Sequence, residues 1–275
     1  MKKIYIFIFI NIFTIVYQIN AQINTIEIYG AKSNGLGQVT SVYEDINSIY
    51  GNQAGMAFIK GMDINAGYEN RYQIFELSAL NFAIAKNYQN TGTFGLVLKR
   101  FGFSQFNEFM VGIAYAKKLG NSFSASIQFD YFNTSILGYG NKSTFSFETG
   151  LMYKISDQLT MGAHVTNPFP VSFIDNQDIP TIINIGVKYK VSDYLNIYGE
   201  FEKHINYNFY LKSGIEYSPI DIFTLYFGFR NDFQNSSDFS LGFKYKFNKK
   251  INIELSTLYN LTLGLSPTVG FNYDL

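Results

Sequence analysis

The chain has 275 residues, with 21 Lys and Arg against 21 Asp and Glu, 28 Phe, 22 Tyr and no cysteine. The absence of cysteine excludes disulfide scaffolds, cysteine-ligated metal sites and cysteine nucleophiles, and the balanced charge removes the electrostatic case for binding nucleic acid. Charged residues make up only 15% of the chain, against about 25% in soluble domains. Such a composition is typical of a β-protein whose outer face meets lipid.

Residues 1–21 are predicted to be a secretory signal peptide. Lys2 and Lys3 precede an apolar stretch from Ile4 to Tyr17, and Ala21 provides a small residue at the cleavage point. An uncleaved anchor is the alternative, but the stretch is shorter than the roughly 20 residues of a spanning helix. Export of a strand-rich chain predicts a location in the outer membrane of a Gram-negative bacterium.

Residues 22–61 lack regular alternation and are rich in glycine and small residues. They contain Gly30-Ala31-Lys32, Gly35-Leu36-Gly37, Glu44-Asp45 and Tyr50-Gly51-Asn52-Gln53-Ala54-Gly55-Met56-Ala57. These motifs resemble the N-terminal signature of the PorV/PorQ family, a Bacteroidota branch of the FadL-like (OmpP1) outer-membrane transport proteins. Lys32 stands where that signature has Arg, Glu44 where it has Asp, and Gln53 where it has Pro.

The resemblance implies a fourteen-stranded barrel whose N-terminal segment, residues 22–61, folds into the lumen as a hatch. Glycines allow irregular backbone, which is tolerated at membrane depth only inside protein or a wet lumen. A disordered periplasmic leader is the alternative, but the apolar residues of the segment argue against it. The hatch motif is assigned to Gly30, Gly35, Gly37, Glu44, Asp45, Asn52, Ala54 and Gly55, with the two acids expected to pair with lumenal Lys or Arg.

Residues 62–275 alternate apolar and polar residues between short turns, which predicts an all-β, transmembrane antiparallel β-barrel. About fourteen strands are expected, at 62–71, 74–86, 92–102, 107–118, 122–133, 143–155, 157–166, 180–191, 194–205, 208–218, 221–230, 237–248, 250–260 and 264–275. Longer external connections are expected near 134–142, 167–179 and 231–236. The last strand alternates up to Leu275, as expected of a strand that the barrel-assembly machinery takes up.

A soluble β-sandwich also alternates, but it would need highly charged outer faces. In a membrane barrel the polar face is lumenal instead. The predicted lumenal charges are Glu108, Glu148, Lys188, Lys190, Glu200, Glu202, Lys212, Glu216, Arg230, Lys244, Lys246 and Glu254.

Nothing in the sequence favours catalysis, a metal site or a cofactor. The two histidines, His164 and His204, are far apart in the chain and are predicted to face the lumen. Glu200 and Glu202 share a strand face, and lumenal carboxylates opposite lysines are more often structural ion pairs than acid–base pairs.

Two functions remain open, and an open porin is a weaker third because a hatch would fill the lumen. One is passage of small hydrophobic molecules across the outer membrane, with outer-membrane lipid and the hydrophobic molecules as partners. The other, implied by the family resemblance, is an accessory role in type IX protein secretion, with secretion-system components or secreted cargo as partners. The sequence does not choose between them.

Overall fold

The structure is a computed structural model that describes residues 27–169, 171–174, 177–205, 209–233 and 237–275. The predicted signal peptide, residues 1–21, lies outside the described residues, as do residues 22–26 of the predicted hatch. Within the described part, a short segment with helical turns precedes a long run of antiparallel strands.

Fourteen strands of the described chain close into one antiparallel barrel. They are β1 (Met62–Asn70), β2 (Ser78–Tyr88), β3 (Gly92–Gly102), β4 (Phe106–Lys118), β5 (Phe123–Ile136), β6 (Gly140–Lys154), β7 (Leu159–Thr166), β10 (Ile182–Ser192), β11 (Leu195–His204), β12 (Phe209–Ile220), β13 (Phe223–Asn231), β14 (Ser237–Lys246), β15 (Ile251–Asn260) and β16 (Gly264–Asp274). The short strands β8 (Ser172–Ile174) and β9 (Gln177–Asp178) pair separately between β7 and β10. Because β1 pairs with β16, the barrel has no free edge. The predicted barrel of about fourteen strands is confirmed.

The two faces of the strands differ in polarity, as the alternation predicts. On β14, Asp238 and Ser240 are buried, whereas Phe239 and Leu241 are 49% and 56% exposed. Large apolar side chains are exposed in the same way around the wall, for example Phe94, Ile113, Phe129, Ile185, Phe201, Leu211, Phe227, Leu255 and Phe271. An apolar outer face around a polar interior is the arrangement of a barrel that spans a membrane.

The two ends of the barrel carry different connections. The first and last strands meet at the end we call the inner end, where the N–H of Leu275 donates to the carbonyl of Met62 at 2.9 Å. Connections at the inner end are short, at 89–91, 119–122, 155–158, 193–194, 221–222 and 247–250. The opposite, outer end carries the longest connection, residues 167–181. This is the asymmetry expected of a barrel with short periplasmic turns.

Two details of the sequence prediction are wrong. The second strand was expected from residue 74 but begins at residue 78, because Tyr72 and Gln73 adopt positive φ and two 3₁₀ turns fill the connection. The long loop expected near 134–142 is a tight turn, because β5 and β6 continue into that range. Gly138 and Gly140, with φ of 83° and 93°, supply the left-handed backbone that this turn needs.

Residues 27–61 contain the helix α1 (Ala31–Gly35) and the 3₁₀ helices Ile46–Tyr50 and Gln53–Phe58. Each 3₁₀ helix is capped by an acceptor side chain, since Asp45 accepts from the N–H of Asn47 at 3.0 Å and Asn52 from that of Ala54 at 3.2 Å. Nearly every residue between 28 and 59 is buried. No helix of the described residues is long and apolar enough to cross a membrane.

Candidate functional site

The contact between residues 27–61 and the barrel wall centres on the carboxylate of Glu200, on the inward face of β11. Its Oε2 accepts the backbone N–H groups of Thr40 and Ser41 at 2.8 and 2.7 Å, and the Ser41 hydroxyl at 2.6 Å. Its Oε1 accepts from Asn184 at 3.0 Å and from the Lys212 ammonium at 3.1 Å. This fully buried carboxylate therefore accepts hydrogen bonds from the segment and from the wall at once.

Lys212 extends this network along β12. Its ammonium lies 2.7 Å from Glu202 and donates to the Gln38 carbonyl at 2.8 Å. Arg230 on β13 donates to the Gln38 side chain at 2.5 Å and pairs with Asp238 at 2.7 Å. The ion pair expected of Glu200 and Glu202 is therefore present, and it also holds the backbone of the N-terminal segment.

Asn52 is the motif residue that ties the segment to the other side of the wall. Its side chain is fully buried and donates to the Ser41 carbonyl at 2.8 Å and to the Leu151 carbonyl of β6 at 2.9 Å. The neighbouring Gln53 donates to Glu148 at 2.6 Å. Gln53 thus uses a side-chain amide where the family signature has proline.

A row of inward-facing glycines lets the segment backbone lie directly on the sheet. A Cβ at Gly162 would lie 1.9 Å from the Ser41 carbonyl oxygen, and one at Gly228 would lie 2.0 Å from the Gly37 nitrogen. Similar close approaches, to the segment or its side chains, occur at Gly95, Gly150, Gly186 and Gly214. Sequence reasoning placed these residues in strands without a role. The sequence did contain a signal for this role, because glycines recur at inward-facing positions of successive strands.

Hydrogen-bonded side chains continue from the segment across the strands at the barrel seam. Tyr50 donates its hydroxyl to Asn65 at 2.5 Å. Asn65 donates to Asn272 at 2.6 Å, and Asn272 donates to Asn252 at 2.7 Å. The chain of bonds crosses β1, β16 and β15, so the segment also supports the place where the barrel closes.

The inner face of β2, β3 and β4 is mostly apolar, although Lys99 and Glu108 also face inward. It carries Ala79, Ala83, Ala85, Val97, Met110, Ala114 and Ala116, which pack against Ile46, Ile49, Met56 and Ile59 of the segment. Small wall residues leave room for these larger side chains. The segment is thus fixed by hydrophobic burial on one side of the lumen and by ionic contacts on the other.

Glu44 and Asp45 lie toward the inner end. Glu44 pairs with Lys188 at 3.0 Å and with Lys154, whereas Asp45 pairs at 2.7 Å with Lys32 of the segment itself. Burial raises the pKa of Asp45, but the Lys32 ammonium outweighs it and brings the pKa to about 2. Burial also raises the pKa of Glu44, and Lys188 and Lys154 lower it below its usual value.

The remaining predicted residues have structural contacts or lie at the rim. Gly55 is needed because a Cβ there would lie 1.8 Å from the Tyr43 carbonyl oxygen. The Ala54 carbonyl accepts from Ser124 at 2.9 Å, and Glu216 accepts from the Tyr198 hydroxyl at 2.6 Å.

Other motif glycines are also tightly enclosed. A Cβ at Gly30 would approach Asn47, and one at Gly35 would approach Tyr226, at 2.8 and 3.0 Å. Gly37 has φ of 68°.

Some predicted lumenal charges lie at the mouth of the barrel instead of in its interior. Lys244 is half-buried opposite Glu254. Lys246 is exposed, and Lys190 pairs with exposed Asp193 at 2.6 Å. The expectation that Lys190 and Lys246 lie within the lumen is wrong, because both strands reach the rim there.

Both histidines face the interior. His164 lies 2.9 Å from Glu148, and His204 lies 3.3 Å from Glu202 and 3.4 Å from Glu27. Among the described residues, no group of three or more His, Asp or Glu is arranged to hold a metal ion.

One cavity between the described segment and the barrel wall is small and mixed in polarity. The cavity, of about 40 Å³, is lined by Lys99, Glu148, His164, Asn184, Tyr50 and Phe132, among others. Such a volume holds a few water molecules at roughly 10–15 Å³ each. With residues 27–61 in place, the lumen has no room for an organic molecule of the size of a benzene ring at this position.

Comparison with solved structures shows which fold this is. The chain is similar to the toluene transporter TodX of Pseudomonas putida (TM-score 0.74, 12% identity, covering 90% of this chain and 99% of that one). It is also similar to the toluene transporter TbuX of Ralstonia pickettii (0.73, 12%, 92% and 99%) and to a FadL homologue of Pseudomonas aeruginosa (0.66, 12%, 91% and 99%). No family model and no curated protein matches the chain.

These similarities define the class of structure: a closed fourteen-stranded barrel with the fold of FadL-like outer-membrane channels. The neighbours are transport channels rather than enzymes.

Proposed function

We propose that this chain is an outer-membrane channel of a Gram-negative bacterium for small hydrophobic molecules, and that residues 22–61 are its hatch. The observation that carries the proposal is the packing of residues 27–61 on the glycine-lined inner face of the barrel, beside a cavity of about 40 Å³. Passage then requires the segment to move. The neighbours with the same fold include channels described as carrying monoaromatic hydrocarbons.

The attachment of the segment suits a part that moves as a unit. Its contacts to β11–β14 are polar and directional, through Glu200, Lys212, Arg230 and Ser240. Hydrogen bonds to charged groups contribute about 1.5–3 kcal/mol each, and water that enters the lumen can replace the segment as their partner. The barrel itself keeps its own strand pairing while the segment shifts.

A reversible crosslink tests the hatch. A Cβ at Gly270 of β16 would lie 3.1 Å from the Cβ of Ala31 in the segment, a few tenths of an ångström short of the roughly 3.5–4.5 Å found in disulfides, so replacement of both residues by cysteine allows a crosslink. The chain has no other cysteine. We expect the oxidised Ala31→Cys, Gly270→Cys barrel, expressed in the outer membrane of a Gram-negative host, to lose uptake of toluene and to regain it with reductant.

The single variants Ala31→Cys and Gly270→Cys serve as controls, since neither can crosslink within the chain. Equal uptake by oxidised and reduced double variant would show that the segment is not a hatch. Lack of toluene uptake by the barrel without any substitution would contradict the channel proposal itself.

A second candidate is the accessory role in type IX secretion implied by the PorV/PorQ resemblance. One observation favours it: apolar side chains project from the connections at the outer end, including Phe75 (74% exposed), Leu137 (70%) and Tyr139 (90%). Exposed apolar patches mark contact surfaces for other macromolecules. Deletion of the gene, followed by comparison of the secreted proteins, separates the two roles, because unchanged secretion would exclude the accessory one.

A further inference from the structure

Lysines are concentrated at the inner end of the barrel. Lys244, Lys246, Lys249 and Lys250 lie on β14 and in the β14–β15 turn, and the others fall into two groups. One group has carboxylate partners: Lys154 and Lys188 pair with Glu44, and Lys190 pairs with Asp193. The other group consists of Lys60, Lys86, Lys117 and Lys118, which we call the rim lysines. All four are exposed. Among the described residues, no carboxylate lies within 4 Å of any of their ammonium groups.

A groove lies between the rim lysines. Residues 57–60 form one side of it, and the β2–β3 turn and the end of β4 form the other. Its volume is about 480 Å³, within the range of small-molecule sites, and its lining includes Lys60, Lys117 and Lys118 but no acidic residue. Like charges placed together without counter-charges repel one another, so an anion bound in this groove would relieve the repulsion.

The groove also has apolar surface. Lys118 lies over the Phe58 ring at 4.5 Å, and Lys86 lies over the Tyr88 ring at 5.2 Å. These contacts hold the ammonium groups along the edge of the groove and keep them accessible. The lining therefore fits a ligand with an anionic head and an apolar part.

The groove lies across the rim of the barrel: Thr93, Ala116 and Lys118 line it from the inward face, and Tyr88 and Lys117 line it from the outward face. Lys86, Lys117 and Tyr88 lie at outward positions of β2 and β4. Tyr88 continues into an aromatic cluster on the outer face, with Phe94 at 5.9 Å and Tyr115 at 5.0 Å from Phe94 between ring centroids. A ligand whose head is in the groove can therefore lay acyl chains along this face.

We propose that the rim lysines form a binding site for the phosphate headgroup of an anionic glycerophospholipid. The lipid would lie in the membrane leaflet that surrounds the inner end of the barrel. Basic pockets at the headgroup level attract anionic lipids, and the aromatic face beside this one offers the apolar surface that the chains require. Because Phe58 and Lys60 end the N-terminal segment, a bound lipid would contact the segment as well as the wall. The site does not depend on passage of any molecule through the lumen.

The test compares lipid retention by matched variants. The purified full-length barrel is titrated with phosphatidylglycerol or phosphatidylcholine in detergent and examined by native mass spectrometry. We expect preferential retention of phosphatidylglycerol, and a loss of at least about tenfold in its affinity when the four rim lysines are replaced, as Lys60→Gln, Lys86→Gln, Lys117→Gln and Lys118→Gln. The control removes equal charge elsewhere at the same end, as Lys190→Gln, Lys246→Gln, Lys249→Gln and Lys250→Gln. Of these, Lys190 pairs with Asp193, and Lys246 and Lys249 line a groove that also holds Asp221 and Asp274.

Several outcomes would overturn the proposal. Equal loss in both quadruple variants would show unspecific attraction to the basic end, and equal retention of the two lipids would show that the head charge plays no part. Competition by glycerol phosphate or benzoate at the affinity of the lipid would assign the groove to a soluble anion instead. A quadruple Lys→Arg variant should retain the lipid, and the single variant Lys117→Gln should weaken it measurably, provided that heat-modified migration in gels shows a folded barrel.

Discussion

Ser41 donates both its backbone N–H and its hydroxyl to one oxygen of Glu200, at 2.7 and 2.6 Å. The two residues are far apart in the chain and meet only because the N-terminal segment lies against β11. The same carboxylate receives Lys212 from β12. This one contact therefore joins the segment, the wall and the buried ion pairs, and it is the first place at which the attachment of the segment can be tested.

Replacing Glu200 by Gln should loosen the segment without opening the barrel. The amide removes one of the two carboxylates that balance Lys212, with Glu202 remaining at 2.7 Å, and turns one acceptor into a donor. Because the buried ammonium keeps one partner, the cost should lie below the roughly 3–5 kcal/mol of a buried ion pair broken outright. Hydrogen–deuterium exchange of residues 38–43 should become faster.

Glu254→Gln is the matched control for that variant. Glu254 is equally buried, at 2% exposure, but its hydrogen bond comes from Tyr226 of the wall at 3.3 Å. Equal exchange rates at residues 38–43 in the two variants would contradict a specific role for Glu200.

Gly162→Ala should displace the segment by steric contact. The new Cβ would lie 1.9 Å from the Ser41 carbonyl oxygen, a distance that backbone must relieve at a cost of about 1–3 kcal/mol. We expect faster exchange of residues 38–43 with unchanged strand protection. Gly199→Ala is the control, because its Cβ would face outward with Val187 at 3.7 Å, an ordinary contact. The prediction is wrong if both variants behave alike.

Asn52→Ala should detach the middle of the segment from β6. The substitution leaves the Ser41 and Leu151 carbonyls without the amide that lies 2.8 and 2.9 Å away. Leaving a buried polar group unsatisfied costs about 1–3 kcal/mol. Protease sensitivity of the segment should increase, measured by cleavage of the folded barrel. Asn133→Ala, which removes an exposed amide bonded to Ser143 at 2.8 Å, should leave it unchanged.

Acidification should weaken the inner part of the segment between about pH 4 and pH 2. The pKa of Asp45 is about 2 in the folded chain, below its ordinary value of 3.8, and that of Glu44 is also lowered. A depressed pKa contributes stability above the unfolded pKa, and that stability is lost as the pH falls through the folded one. Because Asp45 is 42% exposed, solvent screens its pairing and the effect should be modest.

Pepsin cleavage within residues 27–61, followed over this pH range, measures the loss. Each rate is divided by that of an unstructured peptide, because the catalytic aspartates of pepsin themselves titrate near this range. The double variant Glu44→Gln, Asp45→Asn should show a higher but pH-independent relative rate between pH 4 and pH 2. A wild-type rate that stays flat over the same range would show that the two acids do not stabilise the segment.

Strand order and number followed from the sequence because lipid outside and polar groups inside impose a two-residue period on every strand. Phe239 is exposed on the outer face and its neighbour Ser240 is buried on the inner face, as that period requires. The ends of the strands could not be predicted from the sequence. Tyr72 and Gln73, for example, adopt positive φ in the connection after β1, and the composition does not reveal this. The tight turn at Gly138 was also not predicted, because the length of a hairpin depends on how far strand pairing continues beyond the membrane.

The candidate site was predictable in its residues but not in its contacts. Glu200 and Glu202 could be placed on one face with a lysine opposite, as the structure has them. That the Glu200 carboxylate also receives two backbone N–H groups of the segment could not be read from spacing. Such a contact depends on where an irregular backbone comes to rest.

The sequence by itself determined that this chain forms a barrel: a low share of charge, abundant aromatics and a strict alternation admit few other solutions once lipid is the solvent. Only the tertiary structure decided that residues 27–61 fill the lumen, with hydrophobic contacts to β2–β4 and ionic contacts to β11–β13. The physical reason is the distance along the chain over which each property is determined. Alternation is a local property of each strand, whereas a segment without periodicity finds its place through glycines, carboxylates and small side chains contributed by many distant strands.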